Sequence, residues 1–326
     1  MRRVSFALCL ALSLVASPAP QAAPPANVEC IAPAKPGGGF DLTCRLLREL
    51  LQLPGTPSDP QVRIRYLPGG IGALAFDRAV SQHWSDPRTV VAFSTGSLVN
   101  LAQGRFGPHR PSDVRWLATL GLEYGVIAVR RDARFPSLAM LRDALAGDPA
   151  AVRFGAGGTV GSQDWIKAAL LVKASGSDHR NMRFIAFEGG GQAVDALRGG
   201  HVDVFCGDML EVAQAVAAGE IRLLAVLAPQ RLGGRLAAVP TAREQGIDIV
   251  WPTVRGLYLG PGVTERDYAE WSRSLGRLMQ HPGYAALLAR YGLQPATMLG
   301  PQLQAHVDAE IGRLKALARS LHLRVP

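Results

Sequence analysis

The chain has 326 residues, a length that suits two domains of ordinary size. Hydrophobic residues make up 48% of it, which excludes an intrinsically disordered protein because a full core can be buried. The formal net charge is +9, but the basic residues are mostly arginines scattered without a basic stripe, so no nucleic-acid partner is expected. A modest positive field favours a small anionic ligand instead.

The N-terminus has the pattern of a secretory signal peptide. Arg2 and Arg3 precede an apolar run over residues 4–16, and small residues and prolines follow as far as Ala23. The run is shorter than the ~20 residues that span a bilayer. We therefore expect residues 1–23 to be a signal peptide. The mature protein is expected in the periplasm, as a soluble chain with no transmembrane segment.

Three cysteines follow the signal peptide. Cys30 and Cys44 flank the first strand–loop–helix unit, and in an oxidising compartment they are expected to form a disulfide. The alternative, that both are reduced and buried, stays open. Cys206 is expected to be a buried thiol. The chain has no Cys-x-x-Cys and no histidine pair at ligand spacing, so neither a metal site nor a cofactor is expected.

Short β-type runs alternate with helical patterns along most of the chain, which predicts an α/β fold of parallel sheets with helices on both faces. The predicted strands are 28–32, 61–67, 89–93, 114–120, 125–129, 152–154, 183–187, 202–205, 222–227 and 256–259. The predicted helices between them are 41–53, 72–82, 97–103, 137–146, 162–175, 191–198, 209–218 and 240–245. Residues 264–321 change to an all-helical pattern with core-like apolar spacing.

The loop between the first strand and the first helix has the features of an anion site. Its three consecutive glycines let the backbone aim N–H groups at one point, and a helix N-terminus adds unpaired N–H groups and partial positive charge. The candidate residues are Lys35, Gly37, Gly38, Gly39, Phe40 and Asp41. Asp41 is expected to be the N-cap, and Lys35 either pairs with an anion or is solvated. Bulk at Gly38 should therefore remove binding, whereas loss of Lys35 should weaken it modestly.

Two further strand-to-helix loops carry hydroxyl residues and glycines. The loop at 94–97 suits oxygen-rich ligands and helix capping equally well, whereas the loop at 157–163 fits a second anion-binding unit. The candidate residues are Ser94, Thr95, Ser97, Gly157, Gly158, Thr159, Ser162 and Gln163. A dinucleotide fingerprint is excluded in the second loop, because Val160 stands where the third glycine is needed. The loops at 67–72 and 188–192 have a similar form, although Glu188 would repel an anion that it faced.

Catalytic motifs are absent from the sequence. It has no Gly-x-Ser-x-Gly elbow, no Walker A loop and no His-Glu-x-x-His, and its seven histidines are scattered. No enzymatic activity is expected, although a secreted hydrolase with a site assembled in space stays an alternative. Asp208 follows a predicted strand, where it either lines a cleft or caps the next helix.

Five motifs occur in an order that characterises one family of receptors. They are residues 36–41, 155–163, 195–203, 218–226 and 239–244. In these the chain resembles the extracytoplasmic binding proteins of tripartite tricarboxylate transporters, the TctC or Bug receptors, over nearly all of its mature length. Residues 29–36 and 183–191 look like the citrate-type branch. The chain departs from the wider family at residues 186–189, where a Pro-Tyr-Lys-Gly run is usual.

The resemblance implies a periplasmic-binding-protein fold of two α/β lobes, the type II Venus flytrap. Lobe 1 would comprise residues 27–123 plus 251–326, and lobe 2 residues 124–250. Loops 35–41, 94–97 and 157–163 and the region near Asp208 would hold a small polycarboxylate of the citrate or tricarballylate type, partly through backbone N–H groups and ordered water. The implied partners are a large and a small membrane subunit of a transporter, and the receptor itself is expected to be a monomer. A receptor that presents its ligand to a signalling partner is the alternative.

Overall fold

The structure is a computed structural model that describes residues 25–54 and 60–326, so the expected signal peptide lies outside the described residues. The strands are β1 Asn27–Ala32, β2 Gln61–Tyr66, β3 Thr89–Ser94, β4 Arg115–Tyr124, β5 Val126–Arg130, β6 Arg153–Gly157, β7 Arg183–Phe187, β8 Val204–Phe205, β9 Ile221–Val226 and β10 Pro252–Leu259. The helices are α1 Gly39–Leu51, α2 Ala73–Ser81, α3 Thr95–Ala102, α4 Leu138–Gly147, α5 Gln163–Ala174, α6 Gly190–Arg198, α7 Met209–Ala217, α8 Glu265–Leu278, α9 Tyr284–Arg290 and α10 Gly300–Ser320. The fold is α/β, as predicted.

The strands form two five-stranded sheets with equivalent strand orders, β2-β1-β3-β10-β4 and β7-β6-β8-β5-β9. We call the first sheet and its flanking helices lobe 1, and the second lobe 2. The prediction of parallel sheets is wrong for one strand of each sheet, because β10 runs antiparallel to β3 and β4, and β5 runs antiparallel to β8 and β9. Each of these two strands enters its sheet from the other lobe. It therefore starts at the edge where the parallel strands end, and it runs in the opposite direction.

The chain crosses between the lobes at two places that lie side by side. One crossing is at Gly125, between β4 and β5, and the other lies between β9 and β10. The N–H of Leu227 donates to the carbonyl of Gly125 (2.7 Å), and the N–H of Gly125 donates to the carbonyl of Trp251 (2.9 Å). These bonds tie the two connections into one hinge region. The exact lobe boundaries stay a prediction.

Apolar helix faces bury both sheets. Leu46, Leu47 and Leu50 of α1 are almost completely buried against lobe 1. Leu303 on α10 belongs to a second hydrophobic core that continues into Phe154 of lobe 2, so the long C-terminal helix packs where the lobes meet. The helix predicted at 240–245 is only a short 3₁₀ turn, Arg243–Gln245, which ends at Gly246 with a φ of +78°. Glycine is suited to that left-handed conformation, which terminates a helix.

A disulfide joins Cys30 on β1 to Cys44 on α1, with 5.7 Å between the Cα atoms. Closing a loop across this 14-residue separation stabilises a protein by about 3 kcal/mol in the chain-entropy model. We expect the variant with serine at both positions to lose about that much free energy of unfolding in urea. Mass mapping of unreduced peptides from periplasmic protein should show the two cysteines linked, and free thiols at both would contradict the structure. Cys206 is the internal control, because burial raises the pKa of its thiol to about 12 and makes it unreactive in the folded state.

Candidate functional site

Helix starts from both lobes meet around one cavity of about 40 Å³. The first residues of α1 and α3 come from lobe 1, and those of α5 and α6 and the first turn of α7 come from lobe 2. The lining residues are Ala34, Gly38, Gly39, Phe40, Ile71, Ser94, Gly96, Asn100, Gly157, Ser162, Gln163, Asp164, Gly189, Gly190, Glu211 and Arg255. A helix N-terminus offers unpaired N–H groups and partial positive charge, and the cavity collects four such ends, whereas α7 contributes only the side chain of Glu211.

Part of the predicted set of residues lies at this cavity. Its members there are Gly38, Gly39, Phe40, Ser94, Gly157, Ser162 and Gln163. Lys35 and Gly37 are exposed outside it. The others are either buried behind the cavity or lie in the neighbouring pocket described below, so the structure divides one predicted set among four locations.

The start of α1 differs from the prediction at Asp41. The N-cap is Gly38, and Asp41 is the third residue of the helix. The buried carboxylate of Asp41 accepts hydrogen bonds from the N–H of Gly37 (2.8 Å) and the hydroxyl of Tyr66 (2.9 Å). It therefore closes the loop and faces away from a ligand. Gly37 is the residue that needs glycine's freedom, with φ at +85°, whereas Gly38 has an ordinary φ of −89°.

The hydroxyl groups at the start of α3 accept hydrogen bonds from backbone N–H groups. Ser94 is the N-cap and accepts a hydrogen bond from the N–H of Gly96 (3.2 Å), while Ser97 accepts one from the N–H of Ser94 (3.3 Å). Thr95 accepts from the N–H of Val254 (3.0 Å) and so anchors α3 to β10. Thr95 and Ser97 are buried and do not line the cavity, which leaves Ser94 and Gly96 as the contacts from this loop.

An outer pocket of about 420 Å³ adjoins the cavity and shares Ile71, Asn100 and Ser162 with it. The full lining is Gly70, Ile71, Asn100, Arg105, Gly158, Thr159, Ser162, Ala186, Phe187 and Glu188. Arg105, from lobe 1, donates to the hydroxyl of Thr159 in lobe 2 (2.9 Å). The predicted residues Gly158 and Thr159 thus belong to this outer pocket, on a line of contact between the lobes.

A network of mostly buried charges lines one side of the cavity and continues behind it, centred on Arg255 of β10. Its guanidinium donates to Glu123 of β4 (2.6 Å) and to Asp208 (2.9 Å), which is the N-cap of α7. Burial alone would lower the pKa of Arg255, but the charges of these two acids and of Glu211 hold it above its ordinary value. The guanidinium is therefore permanently charged. Asp208 is fully buried behind the lining, and does not form part of it.

Lys167 of α5 supplies the second buried cation. Its ammonium lies 2.7 Å from Asp208 and 2.9 Å from Asp164, and both carboxylates are almost completely buried. The second oxygen of Asp208 accepts a hydrogen bond from the side-chain amide of Gln163 (2.7 Å). Burial would raise the pKa of Asp208, but Lys167 and Arg255 lower it, so this carboxylate stays ionised.

Two other acids in the network hold protons more tightly. Burial raises the pKa of Glu123 to about 7 against the attraction of Arg255. Burial, followed by the negative charges of Asp164 and Asp208, raises the pKa of Glu211 to about 8. Both groups therefore titrate near neutral pH, and the net charge of the site changes there.

Sequence reasoning missed most of this network. Asp164 follows the predicted loop directly, but Glu123, Lys167, Glu211 and Arg255 were not among the candidates. A signal was present, because Glu123 and Arg255 interrupt apolar β-type runs and Lys167 interrupts an apolar helical one. Charged residues in such positions are almost never fully buried unless they are paired. The sequence thus indicates buried ion pairs, although it does not show which acid pairs with which base.

None of the helices in the described ranges is long and apolar enough to cross a membrane. Within residues 25–54 and 60–326, no group of three or more His, Cys, Asp or Glu side chains is arranged to hold a metal ion.

Known proteins are similar to this chain in sequence and in fold. BugT of Bordetella pertussis is 25% identical over 91% of this chain and 89% of its own length. The structure of MatC (Rpa3494) from Rhodopseudomonas palustris with bound malate superposes with a TM-score of 0.75, at 22% identity, over 90% of this chain and 99% of that one. The structure of R. palustris Rpa4515 with adipate has a TM-score of 0.81, at 20% identity, over 92% and 99%. These likenesses confirm the two-lobed fold of periplasmic binding proteins.

The family itself is identified over most of the C-terminal two thirds of the chain. Residues 112–323 match the family described as the tripartite tricarboxylate transporter family receptor. The match covers more than half of the sequence, and it includes the second glycine-rich loop, the buried network and the C-terminal helices. This chain belongs to the TctC/Bug family of periplasmic solute-binding receptors.

Proposed function

We propose that this protein captures a small carboxylate between its two lobes and delivers it to the membrane components of a transporter. The observation that carries the proposal is the meeting of four helix N-termini from both lobes, those of α1, α3, α5 and α6, at one cavity. Helix N-termini bind anions through backbone N–H groups and the helix dipole. Two proteins of the same fold hold carboxylates, malate in one and adipate in the other.

Backbone amides are the donors that this site offers. Within the described chain, the N–H groups of Phe40, Gly189 and Gly190 donate to no protein group, and all three residues line the cavity. Arg105 adds a guanidinium in the outer pocket and forms no ion pair with a described residue. A carboxylate that entered through the outer pocket would meet this cation first and the free amides next.

The finer assignments belong to the same proposal. They are a citrate-type ligand, a permease of one large and one small membrane subunit, export by a signal peptide and a monomeric receptor. The citrate-type branch rests on residues 29–36 and 183–191. The carboxyl groups of Asp164 and Glu211 at the cavity favour a ligand that is less anionic than citrate, and the following experiment compares ligands of both kinds.

A ligand screen by thermal shift tests the function. A ligand that binds only the folded state stabilises it by RT ln(1 + [L]/Kd), about 2.7 kcal/mol at 100 times Kd. For lobes of this size that corresponds to a rise in melting temperature of roughly 5–10 °C. We expect such a shift with at least one of citrate, tricarballylate, malate, linear dicarboxylates and amino-carboxylates. The proposal fails if none of them shifts the melting temperature while a neutral sugar does.

A further inference from the structure

Glu211 occupies a place where an incoming anion would bind. It projects from α7 of lobe 2, and its carboxylate accepts a hydrogen bond from the N–H of Gly39, the first residue of α1 in lobe 1 (3.2 Å). Its second oxygen accepts from the N–H of Asp208 (3.4 Å). One of the helix N-termini that should receive a ligand carboxylate therefore already has a carboxylate from the protein.

Glu211 also separates the inner cavity from solvent on one side. The same side chain lines a surface groove of about 350 Å³ that runs between Gly37 of lobe 1 and Gly191 of lobe 2. The backbones of these two loops are in contact, because a Cβ atom on Gly191 would lie 3.0 Å from the carbonyl of Gly37. Any ligand group in the inner cavity thus lies next to the carboxyl of Glu211.

Lobe 2 presents further acceptors to the same space. The side-chain amide nitrogen of Gln163 donates to the ionised Asp208, which fixes the orientation of the amide and leaves its carbonyl oxygen on the other side. That oxygen is buried and accepts no hydrogen bond from a described group, whereas Oδ1 of Asp164 is already paired with the ammonium of Lys167 at 2.9 Å. Buried acceptors without donors are costly, so they favour a ligand that brings donors.

The charge balance points the same way. Above the pKa of Glu211, which is about 8, the network contains four ionised carboxyl groups, on Glu123, Asp164, Asp208 and Glu211, but only two cations, on Lys167 and Arg255. A second ligand carboxylate in the inner cavity would add to this negative excess at short range. An ammonium group would reduce it and would donate to the side-chain oxygen of Gln163.

We propose that Glu211 is a specificity-determining residue, which makes the site prefer a carboxylate whose other end carries an ammonium group over one that ends in a second carboxylate. The ammonium end lies in the inner cavity beside Glu211, Asp164 and Gln163. The carboxylate end is bound by Arg105 in the outer pocket, because the start of α6 already lies against the carboxyl of Glu211. This inference rests on the proposed function.

The preference should depend on pH through Glu211. The charged groups that face it are Asp164 and Lys167 of α5, Asp208 before α7 and Arg255 of β10, while α1 presents the amide of Gly39. The pKa of Glu211 is about 8, so at lower pH its carboxyl is neutral and tolerates a second ligand carboxylate. Above it the ionised form repels that group and attracts an ammonium. The preference for ammonium therefore grows as pH rises from 6.5 to 9.

Calorimetric titration with two pairs of matched ligands tests the inference. The pairs are 4-aminobutyrate with glutarate and 5-aminovalerate with adipate, which differ only in the terminal group. At pH 8.5 we expect the unaltered protein to bind the amino-carboxylate of at least one pair about 10-fold more tightly or better. Glu211→Gln should abolish or reverse that preference, mainly by tightening the dicarboxylate, and should remove its pH dependence. Glu211→Asp, which keeps the charge, should keep the preference.

Glu270→Gln is the control, because Glu270 pairs with Arg266 on α8 and lines neither pocket, so its removal should leave the ratio of the two affinities unchanged. The inference is overturned if the unaltered protein binds dicarboxylates more tightly, or if Glu211→Gln leaves the preference intact. Circular dichroism establishes that each variant is folded. If neither the unaltered protein nor Glu211→Gln binds any carboxylate while a neutral sugar binds, the proposed function fails together with the inference. A folded receptor that binds carboxylates without the preference overturns the inference alone.

Discussion

Replacing Arg255 with methionine should lower the free energy of unfolding by about 3–5 kcal/mol at pH 8, as expected when one partner of a buried ion pair is removed. The guanidinium is 2% exposed and is the direct partner of both Glu123 and Asp208. Without it, Glu123 has no cation within contact, and Asp208 keeps only Lys167. Urea unfolding, followed by circular dichroism, measures the loss.

The loss should be smaller at pH 5.5 than at pH 8. The folded-state pKa of Glu123, about 7, lies above its unfolded value, so folding takes up a proton, and this group's contribution to stability falls as pH rises through that range. Removing Arg255 raises the pKa of Glu123 further. At pH 5.5 the carboxyl is then protonated and costs little, whereas at pH 8 it is either ionised without a partner or protonated at a free-energy cost.

Arg290→Met is the matched control. Arg290 pairs with Glu49 on the surface, where its side chain is 65% exposed, and such a pair contributes at most about 1 kcal/mol. If the Arg255 and Arg290 variants lose the same stability, or if the loss for Arg255 is independent of pH, the buried network does not have the energetic role assigned to it here.

The alternation of strand and helix was readable from the sequence because each element has its own apolar periodicity. The directions of β5 and β10 were not readable in the same way. Their patterns resemble those of the parallel strands, and only the double crossing between lobes at Gly125 and Trp251 makes them antiparallel. Strand direction depends on where the preceding segment ends in space, and local sequence does not record that.

The binding loops were found because glycine clusters before helices have a local physical meaning. The buried charges were missed because their partners are far apart in the chain. Arg255 and Glu123 are separated by 132 positions, and Lys167 and Asp208 by 41. A charged residue within an apolar run indicates a buried ion pair, but the sequence contains several acids that could pair with each base. Only the packing of α5, β4 and β10 selects the pairs.

Gly39, and not Gly38, is the position where an added side chain should damage the site most. A Cβ atom on Gly39 would lie 2.2 Å from Nη1 of Arg255 and 2.7 Å from its Cζ. The guanidinium has no room to move, because Glu123 and Asp208 hold it in place. At Gly38 the closest atoms to a new Cβ would be 3.9 Å away, which is ordinary contact.

Gly39→Ala should therefore weaken ligand binding by about 100-fold or more, and lower the free energy of unfolding by about 1–3 kcal/mol, as for other overpacked sites. Gly38→Ala should change the affinity by no more than about 3-fold, since its φ of −89° suits alanine and only a weak N-cap preference is lost. Lys35→Ala should be equally mild, because that side chain is exposed outside the cavity. Calorimetric titration of the three variants with the strongest ligand of the screen measures these effects. Loss of binding in Gly38→Ala with normal binding in Gly39→Ala would show that the ligand depends on the loop itself, and that the contact between Gly39 and Arg255 is unimportant for binding.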